Sequence, residues 1–242
     1  MINILIPLAS KSGFFKGPEY IYPEILNEVK GKTMIEAVIE NYSIIEEEKK
    51  YIFILNKEES DRYHIDNILK LVTDSNCEII KLSGETKGAV CSCLMGIDYI
   101  NNDNSLIIAN GNQVIDKNLN DVLVDFKNRD LDSGVICFDS VHPKWSYVKL
   151  DEDGSVEETT EKNPISKNAI AGFYYFKKGK DFINSAMKLI EKDANYEGKY
   201  YIAPTINELI LENKKIGIFK IKNEQYHSFY SPQKIKEYEN KY

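Results

Sequence analysis

Leu106-Ile107-Ile108-Ala109-Asn110-Gly111-Asn112-Gln113-Val114-Ile115-Asp116 is the stretch whose reading decides the fold. Its first four residues form an apolar run of the length of a buried strand. The run breaks into small polar residues, and a helical pattern starts at Lys117. Asn-Gly is ordinary turn chemistry. It is also what a ligand site needs where a central strand ends, because open α/β sheets bind ligands in the crevice beyond the carboxyl ends of their strands.

The flanking sequence repeats the strand-then-helix rhythm. Ile2 to Leu8 and Tyr51 to Leu55 read as buried strands, and Cys77 to Ile80 as a short third. Met34, Ile35, Val38, Ile39 and Tyr42 have helical spacing, and Thr33 with Glu36 forms a capping box at the start of that helix. Glu58 to Leu71 predicts a second helix, and Gly84-Glu85-Thr86-Lys87-Gly88-Ala89 opens a third that runs to Ile100. A glycine-containing loop at a helix start offers free N–H groups to an anion. A helix from Asp116 to Lys127 and a strand from Ser133 to Phe138 follow. This alternation predicts a parallel, doubly wound sheet over the first 140 residues. Beyond it, two strand-like pieces flank Asp151-Glu152-Asp153-Gly154, a hairpin signal whose carboxylates lack EF-hand spacing. A strand at Ala169–Phe176, helices at 180–190 and 204–212, a strand at 215–221 and a closing helix from Pro232 complete the chain. No repeat or linker divides it, so both textures are expected to share one sheet.

The bulk numbers narrow the function classes. A formal net charge of −7 over 242 residues argues against nucleic acid as a partner. Only Arg62 and Arg129 supply guanidinium, so any phosphate site must use lysines and backbone N–H groups. Cys77, Cys91, Cys93 and Cys137 have neither zinc spacing nor a disulfide pattern, which fits a reducing, cytoplasmic setting. No apolar run approaches the ~20 residues of a membrane span.

The order of the landmarks resembles the sugar-phosphate nucleotidyltransferase family, whose fold is related to GT-A glycosyltransferases. The similarity covers nearly the whole chain. It rests on Ile4-Leu5-Ile6-Pro7-Leu8-Ala9 through Gly13, on Gly31-Lys32-Thr33-Met34-Ile35, on Thr86-Lys87-Gly88-Ala89 and on Ala109 to Gln113. It continues with Glu161-Lys162-Asn163-Pro164, Ala171-Gly172-Phe173-Tyr174-Tyr175-Phe176 and Ser231-Pro232. It implies an α/β fold with a Rossmann-like, mixed and mostly parallel sheet flanked by helices. It implies one domain over 1–242, with a nucleotide-binding half (1–140) and a sugar-phosphate-binding half (141–242). The implied reaction joins a nucleoside triphosphate to a sugar 1-phosphate, with Mg²⁺, and releases pyrophosphate.

The chain departs from the family where the charges should be. The first loop, Ser10 to Phe15, has no arginine; Glu24 stands at the lysine position and Asn112 at the strand-end aspartate position. His227-Ser228-Phe229-Tyr230 occupies the late aspartate region. Asparagine removes a hard anionic ligand from a Mg²⁺ site, and Glu24 reverses the sign beside a triphosphate. Lys11 and Lys16, with Glu24, are the expected catalytic-loop groups, and Lys87 is a further cation near the triphosphate. The resemblance assigns Ala9, Ser10, Ser12, Gly13, Thr86, Gly88 and Gln113 to the nucleotide. It assigns Asn112, Glu161, Lys162 and Gly172 to the sugar phosphate, with Tyr200 and Tyr201 as lid or core aromatics. Asp116 is the candidate displaced metal ligand.

Three functions compete at this stage. The first is a nucleotidyltransferase-like enzyme that makes a nucleotide-sugar for surface polysaccharide, with a degraded activation site. The second is an inactive ligand-binding or regulatory homologue. The third is a GT-A-type glycosyltransferase, for which Asn110-Gly111-Asn112 is an uncharged imitation of Asp-x-Asp. The expected partners are a nucleotide and a sugar phosphate, without nucleic acid or a membrane span; a homo-oligomer is compatible with the sequence.

Overall fold

The strand that opens the chain, β1 (Ile2–Leu8), lies at the middle of a nine-stranded sheet, and its first five residues are buried. The computed structural model describes residues 1–10, 13–15 and 20–241. Two short strands, β2 (Glu28–Val29) and β3 (Lys32–Thr33), pair with each other and lead into helix α1 (Met34–Ser43). Strand β4 (Lys49–Asn56) pairs parallel with β1 on one side. After helices α2 (Lys57–Tyr63) and α3 (Ile65–Val72), strand β5 (Cys77–Leu82) extends that side in parallel. Helices α4 (Ala89–Leu94) and α5 (Ile97–Ile100) carry the chain back, and β6 (Ser105–Ala109) pairs parallel with the other side of β1. The order therefore reverses between β1 and β6, which is where an open α/β sheet leaves a crevice.

Beyond β6 the sheet becomes mixed. A short strand β7 (Gln113–Ile115) and helix α6 (Leu119–Asn128) lead to β8 (Ser133–Asp139). Strands β9 (Ser146–Leu150) and β10 (Val156–Glu161) form the expected hairpin. The Asp151 carboxylate accepts the N–H groups of Asp153 and Ser155 there, so it builds the turn. Strand β11 (Asn168–Phe176) runs antiparallel to β6, β8 and β9 and joins the two parts of the sheet. Helices α7 (Gly179–Glu191) and α8 (Thr205–Leu211) follow, then β12 (Ile216–Lys220), parallel to β8. Strand β13 (Tyr226–Ser228) pairs with β7, and α9 (Pro232–Lys241) ends the described chain.

Both faces of the sheet are buried. Ile4, Ile6, Phe53, Ile107 and Phe173 face α1, α3 and α6, while Leu5, Ile52, Ile54, Leu106 and Ile108 face α4, α7 and α8. Near-continuous apolar runs are what doubly covered strands require. The capping box of α1 is present: the Thr33 hydroxyl accepts the Glu36 N–H while the Glu36 carboxylate accepts the Thr33 N–H. No helix of the described residues is long and apolar enough to cross a membrane.

Local spacing missed three features. The helix expected over 58–71 is two helices, because His64 turns into the left-handed region at φ +53°. The helix expected to run to Ile100 is also two, broken at Met95-Gly96. The helix expected at Asp116 begins at Leu119, because Gln113–Ile115 is extended and pairs with Tyr226–Ser228. That partner lies in the last tenth of the chain, beyond the reach of any local periodicity.

Candidate functional site

The crevice at the switch point is a cleft of about 430 Å³. Pro7 and Leu8 from the end of β1, Asn56 from the end of β4, and Asn110, Gly111 and Asn112 after β6 line it. Tyr22 and Glu24 close it from the segment ahead of α1. Glu24 opens a single 3₁₀ turn behind Pro23, and its carboxylate accepts a hydrogen bond from Asn112 Nδ2 at 3.0 Å. The two substituted positions therefore touch. On the other side of Asn112, its carbonyl accepts the Phe229 N–H at 2.7 Å, so the late segment does reach the strand end. The residue it brings there is apolar.

The remainder of the β6–β7 turn is fixed by a buried polar knot. Gly172 sits at φ +57°, where β11 breaks register against β8. A side chain there would collide with the Asn110 and Gln113 amides. Asn110 N–H donates to the Gly172 carbonyl at 3.0 Å. Gln113 is only 1% exposed; its amide donates to the Ala171 and Gly172 carbonyls and accepts the Tyr226 hydroxyl at 3.1 Å. The buried Gln113 amide is answered by protein groups, as a buried polar group must be, while Asn110 stays exposed at the cleft edge.

Glu161 and Lys162 line a second cavity, of about 570 Å³, with Tyr196, Tyr201 and Pro204. Lys162 adopts φ +54°, an uncommon conformation for a residue with a side chain. Its ammonium donates to the Tyr201 hydroxyl at 3.1 Å and lies over the Tyr196 and Tyr201 rings, 5.2 and 5.1 Å from their centroids. The Tyr201 bond, helped by Glu161 and Glu197, holds the Lys162 pKa above the usual lysine value. Glu161 is pushed the other way from an ordinary surface carboxylate. Burial raises its pKa, and the Ser146 hydroxyl and Lys162 offset part of that rise.

The loop before α4 lies beside this second cavity. The Thr86 hydroxyl bonds Ser92 Oγ at 2.6 Å and donates to the Gly88 carbonyl at 3.1 Å. Gly88 has φ +106°, and a Cβ there would lie 2.5 Å from the Tyr200 carbonyl oxygen. Glycine is required because the Tyr200 backbone passes so close.

Among the other sequence candidates, Ser10 lines the first cleft, Ala9 packs on the core, and Gly13 is exposed. Lys11, Ser12 and Lys16 lie outside the described residues. Lys87 is exposed, and its carbonyl accepts the Tyr200 N–H. Asp116 does not join Glu24 and Asn112; it lines a separate hollow with Lys30, Lys117, His227 and Tyr238. Glu59 and Tyr63, from α2, are first-cleft residues that the sequence reading missed. Their signal was weak, since both read as the polar face of a helix.

A divalent metal finds a poor donor set here. Among the described residues the strand end offers the Glu24 carboxylate and the Asn110 and Asn112 amides, with Glu24 and Asn112 already bonded to each other, and the cleft adds one more carboxylate, Glu59. Among the described residues no group of three or more His, Cys, Asp or Glu could hold a metal ion. These residues do not fit the Mg²⁺ that two aspartates would hold, because Mg²⁺ prefers anionic oxygen ligands in octahedral array.

Comparison with known proteins agrees with this architecture. The model of the nucleotidyl transferase family matches residues 19–221. A nucleoside-diphosphate-sugar pyrophosphorylase from Vibrio cholerae RC9 superposes with a TM-score of 0.83 at 21% identity, over 97% of this chain and 98% of that one. A Bacillus anthracis protein provisionally assigned as a glucose-1-phosphate thymidylyltransferase, solved with sucrose, gives 0.78 at 14% identity over 99% and 94%. A UDP-glucose pyrophosphorylase complexed with UDP-glucose gives 0.75 at 18% identity over 100% and 98%. No curated protein matches the sequence.

Proposed function

This chain belongs to the nucleotidyl transferase family, and on that premise we propose that it binds a nucleoside triphosphate and a sugar phosphate and joins them with a weakened activation site. In this reading residues 1–140 carry the nucleotide and 141–242 the sugar phosphate. A sugar-phosphate oxygen attacks the α-phosphorus, the bond to the β-phosphate bridge breaks, and pyrophosphate leaves. The product is a nucleotide-sugar of the kind consumed in surface polysaccharide assembly. The observation that carries the reading is Lys162, an oriented ammonium in a cavity beside the Thr86–Gly88 loop. A cation there suits the phosphate of the second substrate.

The Glu24–Asn112 bond supports slow turnover. It puts a carboxylate where the attacked triphosphate needs positive charge. The strand-end donors among the described residues do not fit a metal ion. The test is pyrophosphate release from each of the four NTPs with a panel of sugar 1-phosphates, in Mg²⁺ and in Mn²⁺. Turnover with one pair is expected, and none with any pair would overturn the proposal. The same Glu24–Asn112 bond favours a second reading, a binding or regulatory homologue. Nucleotide-dependent thermal stabilisation without turnover would select it.

A further inference from the structure

Lys162 is held from a distance as well as locally. The segment after α7 makes a tight turn in which Tyr196 and Lys199 exchange backbone hydrogen bonds at 2.9 and 3.1 Å. Gly198 N–H donates to Asn195 Oδ1 at 2.9 Å within it. The turn presents the Tyr196 ring to Lys162, and the chain then runs through Tyr200 to Tyr201, whose ring packs edge-on against Tyr196 with centroids 6.4 Å apart and whose hydroxyl accepts a hydrogen bond from the Lys162 ammonium. Tyr200 itself is anchored to the α4 loop. Its N–H donates to the Lys87 carbonyl at 2.8 Å, and its carbonyl accepts the Val90 N–H at 3.1 Å. Between these two bonds lies Gly88, with no room for a Cβ. The far end of the segment is tied to the strand that carries Lys162. The Thr159 hydroxyl donates to the Ala203 carbonyl, and Asn207 brackets Thr159 with a bond to its N–H and one to its carbonyl.

We propose that the Tyr200–Tyr201 pair is a strap that transmits the conformation of the Thr86–Gly88 loop to the Lys162 ammonium, so that both tyrosines are positioning residues. The α4 loop sets the depth of the Tyr200 backbone. The next residue sets where the Lys162 donor points. A shift of the loop cannot leave Tyr200 in place, because the two backbones are in contact at Gly88. This deepens the proposed function and rests on it for one point only: that the loop faces the nucleotide and Lys162 the second substrate. Under that assignment the strap makes occupancy of one subsite felt at the other, and such coupling works in both directions.

The test uses the full chain without ligand. Lysines are acylated under native conditions, and the rate at Lys162 is read by mass spectrometry against exposed Lys222, whose side chain is 79% accessible. In the wild type Lys162 reacts slowly, since its ammonium is hydrogen-bonded and its pKa raised. Tyr201→Phe should speed labelling and move its pH profile to lower pH while leaving the urea midpoint in place, which general loosening would lower. Gly88→Ala changes no atom that touches Lys162, yet should speed its labelling roughly five-fold, the low end of measured couplings between sites. Thr86→Val, which loses the hydroxyl bonds to Gly88 and Ser92, should act in the same direction and covers the case in which Gly88→Ala does not fold. A folded Gly88→Ala or Thr86→Val protein with the wild-type Lys162 rate would overturn the strap. No nucleotide enters this measurement, so a failed turnover assay and a failed labelling result are separate findings.

Discussion

The two cavities, the two walls of the proposed site, differ in how they treat charge. On the first wall, Glu24 and Asn112 face each other across the end of β6, and the charged residues among the described cleft lining are Glu24 and Glu59. On the second wall, Lys162 keeps its ammonium in a cavity and is steadied by two aromatic rings and a hydroxyl. The first wall stands at the ends of β1, β4 and β6, and the second follows the end of β10; β11 lies between β6 and β9 and links the two parts of the sheet. The fold is that of the family, and the charged side chains among the described residues of the first wall are carboxylates. A sheet whose core is buried on both faces specifies where strand ends go but not which charges stand there.

The largest expected effect tests how firmly the first wall is held. Gly172→Ala would force a side chain into the Asn110–Gln113 knot at φ +57°. Strained backbone and broken buried hydrogen bonds together should cost about 3 kcal/mol. Urea unfolding would show this as a lower midpoint. A loss within ~0.5 kcal/mol, the range of neutral surface changes, would mean that the knot does not hold the first wall.

A smaller effect is expected from reversing the first wall. Asn112→Asp alone places a second carboxylate against Glu24 and should weaken nucleotide binding. Adding Glu24→Lys turns the repelling pair into an attracting one, and the double variant should bind MgNTP at least about ten-fold more tightly than the wild type, or 1.4 kcal/mol. This is less than the ~4 kcal/mol of a unit-charge contact at 4 Å and an effective dielectric of 20, because the cleft is open to solvent. Thermal stabilisation by nucleotide, followed across concentrations, measures it. If the double variant binds no better than the Asn112→Asp protein, the two positions do not face the triphosphate.

How much of this contrast was readable in the chain follows from the range of the interactions. The strands of the parallel half were legible, because each is a local apolar run, and so was the capping box at Thr33-Glu36. The mismatch in charge was legible at Glu24 and Asn112 one by one. That they touch was not, since the two positions are 88 apart in sequence and meet only when the chain returns to the same strand end. The resemblance brought Gln113 and Gly172 forward as ligand groups, whereas their close neighbours in the structure are protein: Gln113 turns inward and Gly172 makes room for it. Neither composition nor spacing reveals which way an amide points. Tyr200 and Tyr201 could be read equally as lid or as core, and the structure divides them: Tyr200 is 8% exposed and grips a loop by its backbone, while Tyr201 presents its hydroxyl to Lys162.

The smallest expected effect separates the walls by pH. Burial raises the Glu161 pKa in the folded protein. Between the ordinary value of 4.5 and that raised value, the native state binds more protons than the unfolded one. Stability therefore falls as pH climbs through this window, and the full penalty of an ionised Glu161 is present above it. Glu36, at the start of α1, runs the opposite way. The Thr33 hydroxyl and N–H bond its carboxylate and lower its pKa, so its contribution is present above 4.5 and is lost as pH falls through the lowered value. Glu161→Gln keeps an acceptor for the Ser146 hydroxyl but does not titrate. The wild type should lose stability relative to this variant as pH rises from 4.5, and the difference should level off once Glu161 is fully ionised. Thr33→Ala should cost about 1 kcal/mol at neutral pH, and the loss should shrink on acidification. A wild-type advantage over Glu161→Gln that grows with pH would mean that attraction to Lys162 outweighs burial, and that the second wall carries a true ion pair in place of a lysine held by tyrosines.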